Sequence, residues 1–224
     1  MTVAVIVQAR LGSTRLPAKV LLPLPTGRTA IEEVLHRCKF IPGVNDVICA
    51  TPDSIENEIL APFIRKAGCA WISGPEHDVL ARYVKAANAT NADVIMRVTA
   101  DCPLLDPDVC GMVLDLFHNY ELSPFAFRDG DDEVDYCSNV LPRSFPQGLD
   151  CEVFARDSLD RAHEEATEAY DREHVTSYMQ RSMTCRKANV TASNDLSHLR
   201  WTLDTLEDYV RIWNEFKHRE KEAA

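Results

Sequence analysis

Residues 3–7 are apolar without a break, and a polar turn follows them directly. An apolar run with no alternation predicts a strand buried on both faces, as in a parallel sheet. Further on, Thr29-Ala30-Ile31-Glu32 has the spacing of a capping box, and Ile31, Val34, Leu35 and Cys38 then recur at helical intervals. Residues 44–51 predict a second strand, stopped by Pro52. Ser54 is placed to cap a helix with Ile55, Ile59, Leu60, Phe63 and Ile64 on its inner side and Gly68 as its stop. A short strand over 70–73 precedes a helix opened by Asp78, with Val79, Leu80, Tyr83, Val84 and Ala87 inward. Residues 94–98 are again strand-like, and Pro107 begins a helix that runs to about Phe117.

Strand and helix in alternation predict an α/β fold with a mostly parallel, right-handed sheet. The rhythm breaks near residue 120, where an acidic run begins that holds Asp129-Gly130-Asp131-Asp132. Strand-like pieces at 136–140, 149–154, 186–190 and 200–203 and helices over 157–169 and 172–181 follow. Thr205-Leu206-Glu207-Asp208 reads as a second capping box that opens the last helix. There is no internal repeat and no linker, so 1–224 reads as one domain, with a small antiparallel insertion over approximately 120–190.

Composition narrows the function classes. A net charge of −11 argues against a nucleic-acid-coating surface, and no window reaches the roughly 18 apolar residues of a membrane span. The eight cysteines are scattered with no C-x-x-C pair, and no secretory signal is visible at the N-terminus. Both features predict a cytoplasmic protein with reduced thiols and no structural zinc.

Against that acidic background, Arg10, Arg15 and Lys19 crowd the turn after the first strand, together with Gly12, Ser13 and Thr14. A turn at the carboxyl end of a first strand is where open α/β sheets hold ligands. Arginine forks, a lysine point charge and a glycine that admits close backbone approach suit a polyphosphate; a solvated basic loop is the plainer alternative. Asp101 and Asp204 each end a short apolar run, and two such carboxylates can share a Mg²⁺ that keeps positions for phosphate oxygens. Each equally suits the cap of a helix. Asp129 and Asp131 form a D-x-D step that could hold the metal of a nucleotide sugar, or belong to a solvated acidic loop. Asp150 and Glu152 stand two apart, on one face of a strand, with Arg143 and Gln147 before them and Glu173 and His174 after. This group could recognise a second substrate, and Glu152 or His174 could take a proton from it; surface ion pairs are the alternative.

Three long motifs carry a resemblance. Ala9-Arg10-x-x-Ser13-x-Arg15-Leu16-Pro17-x-Lys19, Arg97-Val98-Thr99-x-Asp101-Cys102-Pro103-Leu104 and Leu203-Asp204-Thr205-x-Glu207-Asp208 together resemble the cytidylyltransferase family. That family includes the synthetases of CMP-sialic acid and CMP-3-deoxy-manno-octulosonate. The pattern is most similar to its spore-coat polysaccharide biosynthesis protein F type, on residues 74–83, 148–154 and 172–176. The resemblance implies a nucleotide-diphospho-sugar transferase-like three-layer α/β/α sandwich, commonly a homodimer. It implies CTP contacts at Ala9, Arg10, Gly12, Ser13, Arg15, Lys19, Ser73, Asp78 and Arg82, with Mg²⁺ at Asp101 and Asp204. The implied reaction moves CMP from CTP to a small-molecule acceptor (a sugar acid, sugar phosphate or phosphonate) and releases pyrophosphate. Arg15, Lys19, Asp101 and Asp204 would carry the catalysis, and Arg143, Gln147, Asp150, Glu152, Glu173 and His174 would meet the acceptor. Ala18 and Ala100 stand where the family usually has glycine, and Leu206 where it has proline. A methyl group is harmless at negative φ but burdens a left-handed turn. Two rival readings stay open: a glycosyltransferase acting through Asp129 and Asp131, and a non-catalytic nucleotide-binding module.

Overall fold

The computed structural model describes residues 1–119 and 134–222. At its centre, β1 (Val3–Gln8) turns Val3, Val5 and Val7 to one side and Ala4 and Ile6 to the other, none more than 2% exposed. β1 pairs in parallel with β2 (Asp46–Pro52) and β4 (Val94–Thr99), and β2 pairs with β3 (Ala70–Gly74). On the far side of β4 lie β6 (Glu152–Ala155), then β5 (Tyr136–Ser138), then β7 (Lys187–Asn189). β6 runs antiparallel to both β4 and β5, while β7 is parallel to β5. The order β3-β2-β1-β4-β6-β5-β7 thus reverses one strand in an otherwise parallel sheet. The antiparallel feature is a continuation of the main sheet.

Helices cover both faces. α1 (Ala30–Cys38), α3 (Ala61–Lys66) and α5 (Pro107–His118) bury Ile31, Leu35, Ile64, Cys110 and Val113 against Val5, Val7, Val98 and Val153. On the opposite face, α4 (Val79–Thr90), α6 (Arg156–Glu165) and α8 (Ser177–Arg181) pack Leu80, Tyr83, Leu159 and Met179 against Ile6, Ile95 and Phe154. α7 (Ala169–His174) leads into α8, and α9 (Leu206–Glu222) seats Ile212 and Phe216 on Leu24, Leu104 and Leu203. The result is a three-layer α/β/α sandwich. Burying each such aliphatic side chain contributes about 1.5–3 kcal/mol, so the two-sided cover is what the unbroken apolar run of β1 demands.

The capping box of α1 forms: the Thr29 N–H donates to Glu32 Oε2 at 2.8 Å, and the Glu32 N–H reaches back to Thr29 Oγ1 at 3.5 Å. Elsewhere the local pattern misleads. The single helix after Ser54 is two pieces, α2 (Ile55–Glu58) and α3, because Pro62 lacks the N–H that would continue the ladder. Ile55 and Ile59 therefore point outward, 84% and 55% exposed. The helix over 172–181 breaks at Val175, whose φ of 64° and ψ of −60° make a tight three-residue turn closed by the Thr176 N–H on the His174 carbonyl. Residues 200–203 form only isolated bonds to Gln147 and Asp101 instead of a strand.

At β1 the chain order reverses, with β2 to one side and β4 to the other. Loops leaving the carboxyl ends of β1 and β4 diverge there and leave a crevice.

Candidate active site

The loop after β1 is held from beneath. The Leu11 N–H donates to the side chain of Asn57, a buried residue of α2 that is itself fixed by Ser54. The Ala18 N–H closes the loop on the Leu11 carbonyl at 3.1 Å, and the Leu16 N–H reaches Ser13 Oγ at 3.4 Å. Ala18 stands in the left-handed region, φ 55° and ψ 24°. Its methyl group therefore burdens the turn, whereas Ala100 is not among the positive-φ residues. Immediately after Ala18, a 3₁₀ turn (Lys19–Leu21) aims Lys19 back across the crevice.

Both aspartates lie opposite it, and neither caps a helix. Asp106 caps α5, accepting from the Asp108 and Val109 N–H groups, and Thr205 caps α9, accepting from Asp208 N–H. The two carboxylates are thereby left to the crevice. Their backbones are tied together where the Leu203 N–H donates to the Asp101 carbonyl at 2.8 Å. Residues 201–204 are backed by Gly148, which has φ +109° and would put a Cβ 2.6 Å from the Trp201 carbonyl carbon. Only glycine tolerates both that angle and that contact.

Lys19 Nζ donates to Asp101 Oδ2 at 2.6 Å and to Asp204 Oδ1 at 2.7 Å. Arg15 approaches the same Asp204 oxygen at 3.0 Å, and Arg200 donates to the other at 2.5 Å. Burial works against the Lys19 charge, but Asp101 and Asp204 outweigh it and raise its pKa above the ordinary lysine value. Burial would likewise raise Asp204, yet Lys19, Arg15 and Arg200 hold it below the usual aspartate value. Arg200 was not singled out in the sequence; its signal was the i, i+4 spacing to Asp204.

The crevice is a cleft of about 620 Å³. Ala9, Arg10, Gly12, Ser13, Arg15, Lys19, Asp101 and Asp204 line it, as do Arg82, Gln147, Asp150, Glu173 and His174. Arg97 and Thr99 of β4 complete the wall; the sequence reading gave neither a role. Four expected site residues sit elsewhere. Ser73 lies within β3, its carbonyl taken by Lys85. Asp78 caps α4 through the Ala81 N–H and receives both Arg172 Nε and Nη2, at 3.0 and 2.5 Å, so its carboxylate is occupied by structure. Arg143 stands behind the wall and orients Asp150 with two bonds, at 2.6 and 2.8 Å. Glu152 is the clearest correction. It does not share a strand face with Asp150, because β6 begins only at Glu152, and it is 4% exposed. Its carboxylate pairs with Arg97 and accepts from Tyr136, Thr176 and Gln180, which leaves no route for it to act as a base on a substrate. His174 is exposed at the cleft, its ring against Tyr170 with centroids 4.2 Å apart. Asp129 and Asp131 lie outside the described residues.

A cytidylyltransferase family model matches residues 4–223. This chain belongs to the cytidylyltransferase family. It is 31% identical over 92% of its length to the spore coat polysaccharide biosynthesis protein SpsF of Bacillus subtilis, covering 83% of that protein. To MJ1063 of Methanocaldococcus jannaschii, an uncharacterised protein, it is 32% identical over 97% of its own length and 84% of the relative's. The solved structure of a cytidylyltransferase from Leptospira borgpetersenii superposes with a TM-score of 0.84 at 30% identity, over 95% of this chain and 85% of that one.

For a cytidylyltransferase the charges in the cleft divide in a useful way. Asp101 Oδ2 and Asp204 Oδ1 already clamp one positive charge, the Lys19 ammonium, so two hard oxygen donors converge at one point. Among the described residues no third His, Cys, Asp or Glu joins them. A pair instead of a cage fits Mg²⁺, which takes one or two carboxylates and fills its octahedron with water and substrate phosphate. The enzyme's described cysteines are all free, and none of its described helices is long and apolar enough to cross a membrane.

Proposed function

We propose that this enzyme transfers CMP from CTP to a small-molecule acceptor with release of pyrophosphate, using Mg²⁺ held by Asp101 and Asp204. The observation that carries the reading is the meeting of Lys19, Asp101 and Asp204 beside a loop that also presents Arg10, Ser13 and Arg15. Arg10, Arg15 and Lys19 bind and orient the triphosphate, with Gly12 allowing close backbone approach. The metal, when bound, neutralises charge that develops on the phosphates. Lys19 and Arg15 stabilise the departing pyrophosphate, while the acceptor oxygen attacks the α-phosphorus in line. Positioning and preorganised charge supply most of the rate. An acceptor hydroxyl has to lose a proton, and His174, exposed at the cleft, is a side chain placed to take it. An acceptor that is already anionic needs no base. The Bacillus relative's name supports a product used in polysaccharide biosynthesis.

Pyrophosphate release from CTP and Mg²⁺, screened over sugar acids, sugar phosphates and phosphonates, tests the proposal. With the acceptor that turns over, Asp101→Asn and Lys19→Met are expected to lower kcat by at least about 10²-fold, the usual cost of removing a group that stabilises transition-state charge. Near-normal turnover in either folded variant overturns the assignment, and release of a nucleoside diphosphate would favour a glycosyltransferase.

A further inference from the structure

Buried side-chain atoms with no hydrogen-bond partner are few among the described residues: Glu32 Oε1 and the Nε atoms of Arg82 and Arg97. The first faces the Lys66 ammonium at 2.8 Å. The other two belong to arginines that line the cleft. Arg82 Nη1 is already bound to the backbone carbonyls of Pro75 and Glu76, and Gly74 closes on its stem. Among the described residues Arg97 has no such anchorage to the backbone.

Arg97 occupies the middle of the sheet, opposite Ile6 of β1 and Glu152 of β6. Its side chain is 17% exposed, and among the described residues its one hydrogen bond runs from Nη1 to Glu152. Glu152 in turn is locked by Tyr136 Oη at 2.6 Å, Thr176 Oγ1 at 2.7 Å and Gln180 Nε2 at 2.9 Å. Glu152 thus holds the guanidinium by one corner. Among the described residues nothing is hydrogen-bonded to the other edge, Nε with Nη2. Two parallel N–H groups on one guanidinium edge are the fork that grips a carboxylate or phosphate. Arg97 also lies three residues before Ala100, on the order of 10 Å down the strand at about 3.3 Å per residue. That distance separates it from the charges around Lys19.

We propose that Arg97 is the specificity-determining residue that reads an oxyanion on the acceptor, a carboxylate or a phosphate, with Glu152 as the positioning residue behind it. The proposal rests on the nucleotidyl-transfer reading above, whose acceptors are all acids, and adds the residue that meets their oxyanion. Because Arg97 Nε is buried, the fork meets the oxyanion in this proposal by a swing of the guanidinium about its Glu152 contact. A strained turn at Val175 delivers Thr176 to the same carboxylate, so α7 and Arg97 share one support.

The arginine Nε–H resonances of ¹⁵N-labelled wild-type enzyme report on this directly. Spectra are recorded free and with saturating CTP and Mg²⁺, during titration with sodium acetate or inorganic phosphate. The Arg97 signal is assigned from Arg97→Lys and, by elimination, from Arg82→Lys. The expected result is a saturable shift of the Arg97 Nε–H that persists with CTP bound. Whichever probe acts at lower concentration identifies the group as carboxylate or phosphate. Glu152→Gln is expected to weaken that response, and Arg97→Lys to raise the acceptor KM at least tenfold while CTP affinity by calorimetry stays within twofold. No shift with either anion overturns the proposal, as does a shift produced by CTP alone, which would place Arg97 in the nucleotide subsite. If CTP fails to bind while an anion still moves Arg97, the nucleotidyl-transfer reading falls and the oxyanion site stands.

Discussion

Ala18 and Gly148 are two residues with opposite relations to their backbone. Ala18 carries a methyl group at φ 55°, where a non-glycine residue costs about 1–2 kcal/mol. Ala18→Gly relieves that strain but frees the unfolded chain, so we expect a net gain of about 0.5–1 kcal/mol. Urea denaturation measures it as a higher midpoint at unchanged slope, and an unchanged or lower midpoint would show the turn to be unstrained. Gly148 has no such latitude, since a methyl group there meets the Trp201 backbone at 2.6 Å. Gly148→Ala is expected to cost roughly 1–3 kcal/mol through forced backbone displacement. Because Leu203 and Asp204 continue from Trp201, pyrophosphate release should fall further than stability alone explains. A folded Gly148→Ala enzyme with full turnover would show that Asp204 does not depend on that contact.

At the scale of elements, caps decide which carboxylates remain for chemistry. Thr205 accepts from the Asp208 N–H at 3.2 Å, and Asp208 accepts from the Thr205 N–H at 3.0 Å, which completes the start of α9. Asp208 also braces Arg200, the partner of Asp204. We expect Thr205→Ala to cost about 1 kcal/mol of stability, the usual loss for an N-cap. Kinetic assay should find a drop in turnover smaller than that of Asp204→Asn, because Asp204 keeps Lys19 and Arg15. An equal drop would mean that the cap holds the site in place by itself. The break between α7 and α8 works at the same scale. It turns His174 to the cleft and Thr176 to the interior one turn later.

For the whole molecule, the ion pairs set a pH window. Asp204 and Asp208 are held low against their burial by Lys19 and Arg200 respectively, and Glu152 by Arg97. Asp171 is held low by the Arg181 hydrogen bonds. Each unfolded carboxylate, near 3.9 or 4.3, binds protons before its folded counterpart, so the contribution of these pairs is full above about pH 5 and falls as pH drops through the folded values. The buried thiols limit the other side: burial pushes Cys137 up to about 12, and Cys38, Cys102 and Cys151 upward as well. Unfolded thiols ionise from about 8.5, so stability declines above that. The raised Lys19 keeps its own contribution until still higher pH. Burial holds His36 and His118 low, so their unfolded imidazoles take protons first below about 6.5; urea midpoints from pH 3 to 9 should therefore peak between about 7 and 8, slope gently down to 5 and fall more steeply below it. A midpoint unchanged at pH 3 would mean that these pairs add nothing to stability.

The sequence by itself determined the sheet's parallel half and the basic end of the cleft. β1, β2, β4 and α1 announce themselves through apolar period and a capping box, and those signals are local. Arg10, Ser13, Arg15 and Lys19 were legible because one short loop carries them all. Asp101 and Asp204 were legible only as ligand or cap, and the structure removes the second reading by giving the caps to Asp106 and Thr205. The end of the cleft around Arg97 depended on tertiary structure almost wholly. Whether Glu152 faces a substrate or the interior turns on where β6 begins. Whether Arg97 is spent or open turns on Tyr136 of β5 and on Thr176 and Gln180, the cap and a residue of α8, which occupy the Glu152 carboxylate. Hydrogen bonds between residues 16 to 55 positions apart leave no periodicity in the chain, so only the folded arrangement states them.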